Sequence, residues 1–240
     1  LSGRVIGSGN VLDGSTNTVT IRALTVMAGA NLTGEGAITV YRNGSFVAKG
    51  SATFEGPLDN NGGRIETAGG TLTVQGKLSG DSDSVIDGGI MTFAASAGGT
   101  VIFAGSGELV LGQAENAIIQ IKGFATDGKT SLDLQDVDFA GANEVSYAGN
   151  SVEGELIVKG SNQTVQYNMF GDYEGVTFTA TSTNGGNGSI ITASTTDAVA
   201  RFVQAAATFA PSPGPIPLSP TSAGEPSASL ALARPALGHR

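Results

Sequence analysis

The chain has 240 residues, of which 37 are glycine and none is cysteine or tryptophan, and only 14% are charged. Its formal net charge of −9 makes attraction to nucleic acid or to an anionic membrane surface electrostatically unfavourable. No stretch of the sequence reaches the roughly 18 consecutive apolar residues that a membrane-spanning helix requires. Frequent glycine with threonine, valine, serine and asparagine argues against a helical bundle and predicts an all-β protein of short strands and tight turns.

Short apolar triplets bounded by glycine recur along the first half of the chain. GGTLTV at 69–74, GGIMTF at 88–93 and SGELVL at 106–111 start at nearly equal spacing. A period of about 18 to 20 residues, carried by strand triplets, predicts a β-solenoid in which each coil stacks on the previous one. We therefore predict a right-handed parallel β-helix over residues 1–194. Alternation predicts that its interior ladders contain Leu72, Val74, Ile90, Phe93, Leu109 and Leu111.

The pattern changes after residue 123. Residues 131–139 alternate apolar and acidic side chains and predict one long strand, and the strand-like segments that follow are separated by glycine-containing turns. We interpret this region as the terminal coils of the solenoid with longer excursions. A helix is predicted over 195–209, as a cap or a surface helix, and the Pro-, Ala- and Ser-rich segment 210–240 is predicted to be disordered or held by a partner.

Three aspartates, Asp133, Asp136 and Asp138, are the candidate metal ligands. Carboxylate oxygens suit a hard cation, so calcium is the ion that they would bind. Alternation places Asp136 and Asp138 on one face of the predicted strand, where a carboxylate pair could also serve glycoside hydrolysis. The favoured alternative is a solvated acidic face, because the opposite face is apolar. That apolar face consists of Leu132, Leu134, Val137 and Phe139.

The sequence offers no convergent catalytic constellation. Its one histidine, His239, lies in the Pro-rich tail, so the predicted folded region has neither a Ser-His-Asp arrangement nor a histidine zinc ligand. The arginines of the predicted solenoid are spread, without an acidic triplet beside any of them in sequence. We therefore predict that the chain is not an enzyme and that it needs no cofactor, with calcium left open.

Segment 64–209 carries an ordered series of motifs: GGTLTV, IDGGIMTF, VIFAGSGELVLGQ, IKGF, SLDLQDVDF and the long run from GELIVKG to GSIITAS. In this order they resemble the C-terminal repeat region of large secreted bacterial surface proteins, the pectin-lyase-like β-helix repeats of autotransporter and adhesin type. The resemblance implies a repetitive protein at the bacterial cell surface or in the extracellular matrix, often without an assigned activity.

A structural role follows as the leading hypothesis. The exposed backbone edges of a solenoid are templates for strand pairing, so the chain is expected to assemble head to tail into filaments, with itself as partner. The alternatives are an adhesin stalk or a module that binds extracellular polysaccharide, and then a polysaccharide lyase. The segments expected to pair between neighbours are Arg4, Val5 and Ile6 at one end and Ser189, Ile190, Ile191 and Thr192 at the other.

Overall fold

The computed structural model describes residues 2–5 and 10–195, with side-chain environments from residue 19 onward. This part of the chain forms nineteen strands in one continuous sheet and contains no α-helix, as the all-β prediction requires. Short 3-10 turns lie at Ala114–Asn116 and Asn184–Gly186. In chain order the strands are β1 (Ser2–Val5), β2 (Asn10–Val26), β3 (Asn31–Ala48), β4 (Ser51–Phe54), β5 (Leu58–Asn61), β6 (Arg64–Thr67), β7 (Thr71–Val74), β8 (Leu78–Ser79), β9 (Asp83–Ile86), β10 (Ile90–Phe93), β11 (Gly98–Phe103), β12 (Gly107–Leu111), β13 (Ile118–Lys122), β14 (Thr130–Leu134), β15 (Val145–Gly149), β16 (Glu153–Lys159), β17 (Thr164–Phe170), β18 (Val176–Thr183) and β19 (Gly188–Thr195).

The strands stack into a parallel solenoid of about six turns with three faces. The first face runs through β4, β7, β10, β12 and β14, each parallel to the next. The second contains β5 and β8, and the third β6, β9, β11 and β13. The long strand β3 bends around the corners, because it pairs with β4, β5 and β6 in turn. The predicted parallel β-helix is confirmed.

The pairing register reproduces the repeat in the sequence. Ser51 lies beside Thr71, Thr71 beside Ile90 and Ile90 beside Glu108, which gives offsets of 20, 19 and 18 residues. The next offset, from Glu108 to Ser131, is 23 residues. The longer last step marks where the regular repeat ends.

Most inward side chains are apolar, as predicted, with Asn60, Thr67 and Ser84 as buried polar members, but one residue predicted to be interior faces outward. Ile90 is 37% exposed and Met91 takes the inward position, because the register places Ile90 beside Thr71 and Met91 beside Leu72. The remaining predicted interior residues are buried. The column through the first face contains Leu32, Ala52, Leu72, Met91, Leu109, Leu132 and Ile191, each no more than 2% exposed.

Glycines recur because successive turns of backbone approach closely at one corner. Thr71 N–H donates to the Gly50 carbonyl at 2.9 Å, and Ile90 N–H donates to the Gly70 carbonyl at 3.0 Å. A Cβ atom on Gly70 or Gly89 would collide with the carbonyl of the glycine one turn before it. Gly89 also has a φ of 80°, which only glycine adopts without strain.

The chain reverses direction after β14, and residues 135–195 are called the closing unit here. β14 pairs in parallel with β12 on one side and antiparallel with β19 on the other. β15, β16 and β17 form an antiparallel meander, β17 joins β13 in parallel, and β18 and β19 form a hairpin. Of the predicted terminal coils with longer excursions, β17 continues the third face in parallel with β13 after the β15–β16 excursion. The prediction was wrong for the last strands, because a short turn joins β18 and β19 as antiparallel neighbours and β19 closes the first face antiparallel to β14. The predicted strand over 131–139 also ends earlier, at Leu134.

Two predicted segments fall almost wholly outside the described residues. Thr195, where the predicted helix begins, is the last residue of β19. The rest of that helix and the segment 210–240 lie outside the described part of the chain. In the part that is described, no helix is long and apolar enough to cross a membrane.

The neighbouring residues Ile90 and Met91 provide a test of the register. Met91→Ala should lower the free energy of unfolding by about 2–5 kcal/mol, because it opens a cavity in a packed interior column. Ile90→Ala should cost clearly less, because the Ile90 side chain faces outward and is 37% exposed. Urea unfolding followed by circular dichroism measures both variants. A larger loss for Ile90→Ala than for Met91→Ala would contradict the register.

Candidate functional site

The three predicted metal-binding aspartates lie in different local environments. Asp133 is on β14, whereas Asp136 and Asp138 are in the turn that follows it. Among the described residues, no three His, Cys, Asp or Glu side chains come together as a group that could hold a metal ion. Calcium binding by these residues stays a prediction.

Asp136 and Asp138 make structural hydrogen bonds that tie this turn to its surroundings. The Asp136 carboxylate accepts the Ala114 N–H at 3.0 and 3.2 Å. Its carbonyl accepts side-chain amide N–H groups from Asn162 and Gln163, each at 2.8 Å. Asp138 N–H donates to Asn162 Oδ1 at 2.9 Å. These contacts fasten the end of β14 to the β16–β17 connection.

Asp133 is the unusual member of the group, because it is buried. Its residue is 7% exposed, and its Oδ1 atom has no hydrogen-bond partner. Burial raises the pKa of Asp133, while a hydrogen bond from Gln135 opposes the rise. Burial also raises the pKa of Glu108 on β12, and the nearby Asp133 charge adds to that rise. The alternation of apolar and acidic residues correctly predicted that Asp133 points out of the core, but the expected solvated acidic face was wrong at Asp133, because this outward position is covered.

The segments predicted to pair between neighbouring molecules of a filament are paired within the chain itself, in so far as the structure describes them. Arg4 and Val5 lie in β1 and pair with Thr25 and Val26 of β2, while Ile6 lies outside the described residues. The other segment lies in β19. There Ser189, Ile190 and Ile191 have β14 on one side and β18 on the other, and Thr192 pairs with Thr179. A neighbouring chain could pair with residues 189–191 only by displacing β14 or β18.

A cleft of about 700 Å³ lies in the closing unit between β15 and β18. One wall is Val145–Gly149, the whole of β15, and the other wall is residues 173–178. Two stretches of backbone therefore face each other across the space. We call it the β15–β18 cleft.

Three aromatic rings pack together along this cleft. The ring centroids of Tyr147 and Tyr173 are 5.6 Å apart, those of Tyr147 and Phe178 are 5.7 Å apart, and those of Tyr173 and Phe178 are 5.8 Å apart. Tyr173 and Phe178 are buried, and Tyr147 is partly exposed. The sequence shows only four scattered tyrosines and gave no sign of this cluster, which forms because the meander and the hairpin bring distant residues together.

The surroundings of the cleft are acidic. Burial raises the pKa of Tyr147, and the charges of Asp172, Glu174 and Glu153 raise it further. These three carboxylate residues are exposed, and Glu174 lines the cleft itself. The Tyr147 hydroxyl is buried without a hydrogen-bond partner. The cleft therefore combines an aromatic wall, backbone edges and negative charge, which suits binding by shape, hydrogen bonding and charge.

No family model, curated protein or solved structure matches this chain.

The buried carboxyl of Asp133 makes stability depend on pH. Because its pKa is raised in the fold, the folded state binds more protons than the unfolded chain, and the contribution of Asp133 to stability falls as the pH rises through that raised pKa. Asp133→Asn should therefore be more stable than the wild type at pH 7, and the difference should shrink towards the ordinary aspartate pKa of about 3.9.

Urea unfolding at a series of pH values measures the difference between the two proteins. Glu55→Gln, at an exposed position on the solenoid, is the matched control and should show no such pH-dependent gain. An Asp133→Asn variant that is less stable than the wild type at pH 7 would show that the ionised carboxylate stabilises the fold.

Two of the three tyrosine hydroxyls of the closing unit, those of Tyr147 and Tyr167, should respond in opposite ways to removal. Tyr167 is 1% exposed and its hydroxyl donates to the Ala114 carbonyl at 3.0 Å, so Tyr167→Phe should cost about 0.5–1.5 kcal/mol by removing this buried hydrogen bond, while the carbonyl still accepts the Ala117 N–H at 3.2 Å. Tyr147→Phe removes a buried hydroxyl that has no partner and should be neutral or stabilising. Urea unfolding of both variants, with near-ultraviolet circular dichroism to confirm packing, checks this. Equal losses would contradict the hydrogen-bond assignment.

Proposed function

We propose that this chain is a structural stalk segment of a secreted bacterial surface protein. The observation that carries the proposal is the unbroken interior column from Leu32 to Ile191, which joins the stacked coils and the closing unit in one apolar core. In such a stack each coil buries its apolar side against its neighbours, so the coils support one another along the axis. The extracellular, bacterial setting is taken from the resemblance to autotransporter and adhesin repeats.

The outer surface of the solenoid supports a passive role. On the first face four half-buried threonines lie side by side on successive strands and form an outward column. Along its own strand, each is flanked by inward-facing residues. Threonine suits a solvated strand surface, because its branched side chain favours extended backbone while its hydroxyl stays in contact with water. The members of this column are Thr33, Thr53, Thr73 and Thr92.

The closing unit favours a stalk over the head-to-tail filament. A filament built by pairing residues 4–6 with residues 189–192 needs a free edge at Ser189–Thr192. β19 instead lies between β14 and β18 along Ser189, Ile190 and Ile191. Closing the last coil in this way covers backbone groups that would otherwise template further pairing.

Electron microscopy of the purified chain at raised concentration, with and without calcium, tests this proposal. We expect separate particles under both conditions, because β19, whose edge a head-to-tail filament would need, is already paired with β14 and β18 within the chain. Regular fibres would overturn the stalk and restore the head-to-tail homopolymer, and calcium-dependent fibres would point to the aspartates around Asp133.

The location and the remaining alternatives need separate measurements. Antibodies against the chain should label intact cells of the bacterium that produces it, and labelling only after lysis would overturn a surface role. Retention on an immobilised extracellular polysaccharide would support the binding-module alternative instead. Release of product from an acidic polysaccharide would identify a lyase.

A further inference from the structure

We propose that the β15–β18 cleft binds an extended, basic peptide segment, which adds to β15 as a further strand. The proposal is independent of the stalk function and concerns a site that sequence reasoning did not find. It depends on which backbone groups point into the cleft, on the charge around it and on the spacing of those groups.

The backbone of β15 presents hydrogen-bonding groups to the cleft. Among the described residues β15 is paired only with β16. Lys159 N–H donates to the Glu144 carbonyl at 2.8 Å, and Asn150 N–H donates to the Glu153 carbonyl at 2.9 Å, which fixes the hydrogen-bonded positions of this ladder. In an antiparallel pair these positions alternate with residues whose N–H and C=O point the other way. The outward-pointing residues of β15 are therefore Val145, Tyr147 and Gly149.

The opposite wall, on β18, can be analysed in the same way. Thr195 N–H donates to the Thr126 carbonyl at 3.0 Å, and the Ala193 carbonyl accepts Gly128 N–H at 3.1 Å, so both β19 residues face away from β18. Their register partners are Val176 and Phe178, whose backbone groups accordingly point away from β19 and towards the cleft. Val176 N–H already donates to the Tyr173 carbonyl at 3.2 Å. The Val176 carbonyl and both backbone groups of Phe178 therefore face the cleft.

The edge of β15 lacks the features that block strand pairing. The sequence Val-Ser-Tyr-Ala-Gly contains no proline and no charged residue, which are the usual protection of an exposed edge. Ser146, Ala148 and Gly149 are exposed and small, so they leave room beside the strand. The large aromatic side chain of this edge is Tyr147, whose ring packs against Tyr173 and Phe178, so an added strand would lie against this aromatic cluster.

The charge around the cleft determines the kind of peptide. Glu174 lines the cleft, and Asp172 and Glu153 lie close enough to act on the Tyr147 hydroxyl. The residues that line the cleft include no lysine or arginine. Complementary charge guides a partner to a site and disfavours one of like charge, so lysine or arginine side chains on the bound strand fit best.

The repeat distance of the backbone groups on β15 matches that of an extended peptide. Val145, Tyr147 and Gly149 recur at every second residue of a strand, which places equivalent backbone groups about 7 Å apart. An added β-strand presents its own donors and acceptors at the same interval, and strand addition of this kind gains its affinity from main-chain hydrogen bonds.

Residue-resolved amide hydrogen exchange on the full chain tests the proposal. The probe is an acetylated and amidated heptapeptide, Lys-Val-Lys-Val-Lys-Val-Lys, with affinity measured by fluorescence anisotropy of a labelled copy. At about ten times the dissociation constant, exchange at the Tyr147, Gly149 and Phe178 amides should slow by about tenfold. The Ser146 and Ala148 amides already face β16 and should change little, which separates strand addition from general stabilisation.

Matched peptides and variants serve as controls. The same peptide with Glu for Lys, and the Lys peptide with N-methylated valines, should bind poorly. Removing two rim charges with Asp172→Asn and Glu174→Gln should weaken binding by about two- to thirtyfold, the range for two exposed ion pairs. The same charge change at exposed positions of the solenoid, Glu55→Gln with Asp81→Asn, should leave affinity nearly unchanged.

Several outcomes would overturn the proposal. Failure of the Lys peptide to bind, or binding without protection at Tyr147 and Gly149, would exclude strand addition. Equal binding of the Glu and Lys peptides would remove the basic preference. Protection of the same amides by xylohexaose, with none by the peptide, would reassign the cleft to a saccharide.

Discussion

The structure depends on the hydrogen-bonded register between successive coils. In a parallel stack each residue lies directly beside its counterpart one turn away, roughly 4.8 Å distant, so every position forms a column through the protein. An inward column is mostly apolar, and the column from Leu32 to Ile191 is apolar in every coil. A corner column must be glycine where the backbones touch, as at Gly50, Gly70 and Gly89. The repeat in the sequence is the consequence of this geometry.

The closing unit meets the same requirement with a strand of opposite direction. β19 runs antiparallel to β14, yet Ile191 continues the inward column beside Leu132. This is possible because side chains alternate between the two faces of a strand whichever way the strand runs. The adjoining polar position is also satisfied, since the buried Ser189 hydroxyl donates to the Val137 carbonyl at 3.1 Å. The last coil therefore gains a backbone partner without an interruption of the core.

The sequence predicted those parts of the fold that depend on local, repeated signals. Glycine spacing and period-two alternation were sufficient for the solenoid, its repeat length and most of the interior. Ile90 was misplaced because an apolar residue stood at an outward position next to the inward Met91, and composition alone could not tell which of them faced in. Strand direction in the closing unit could not be read from alternation, which is the same for parallel and antiparallel strands. The aromatic cleft depends on contacts across 31 residues, from Tyr147 to Phe178, and left no local pattern.

The register also explains why the candidate binding site lies in the closing unit rather than on the solenoid. On the first and third faces of the regular coils each strand has a neighbour on both sides, as β7 does between β4 and β10, so its backbone groups are used. A free edge can arise only where the stacking stops. β15 belongs to a meander that leaves the coil path, and it is paired with β16 alone among the described strands. The interruption that closes the solenoid thus also creates an edge at which another strand can be added.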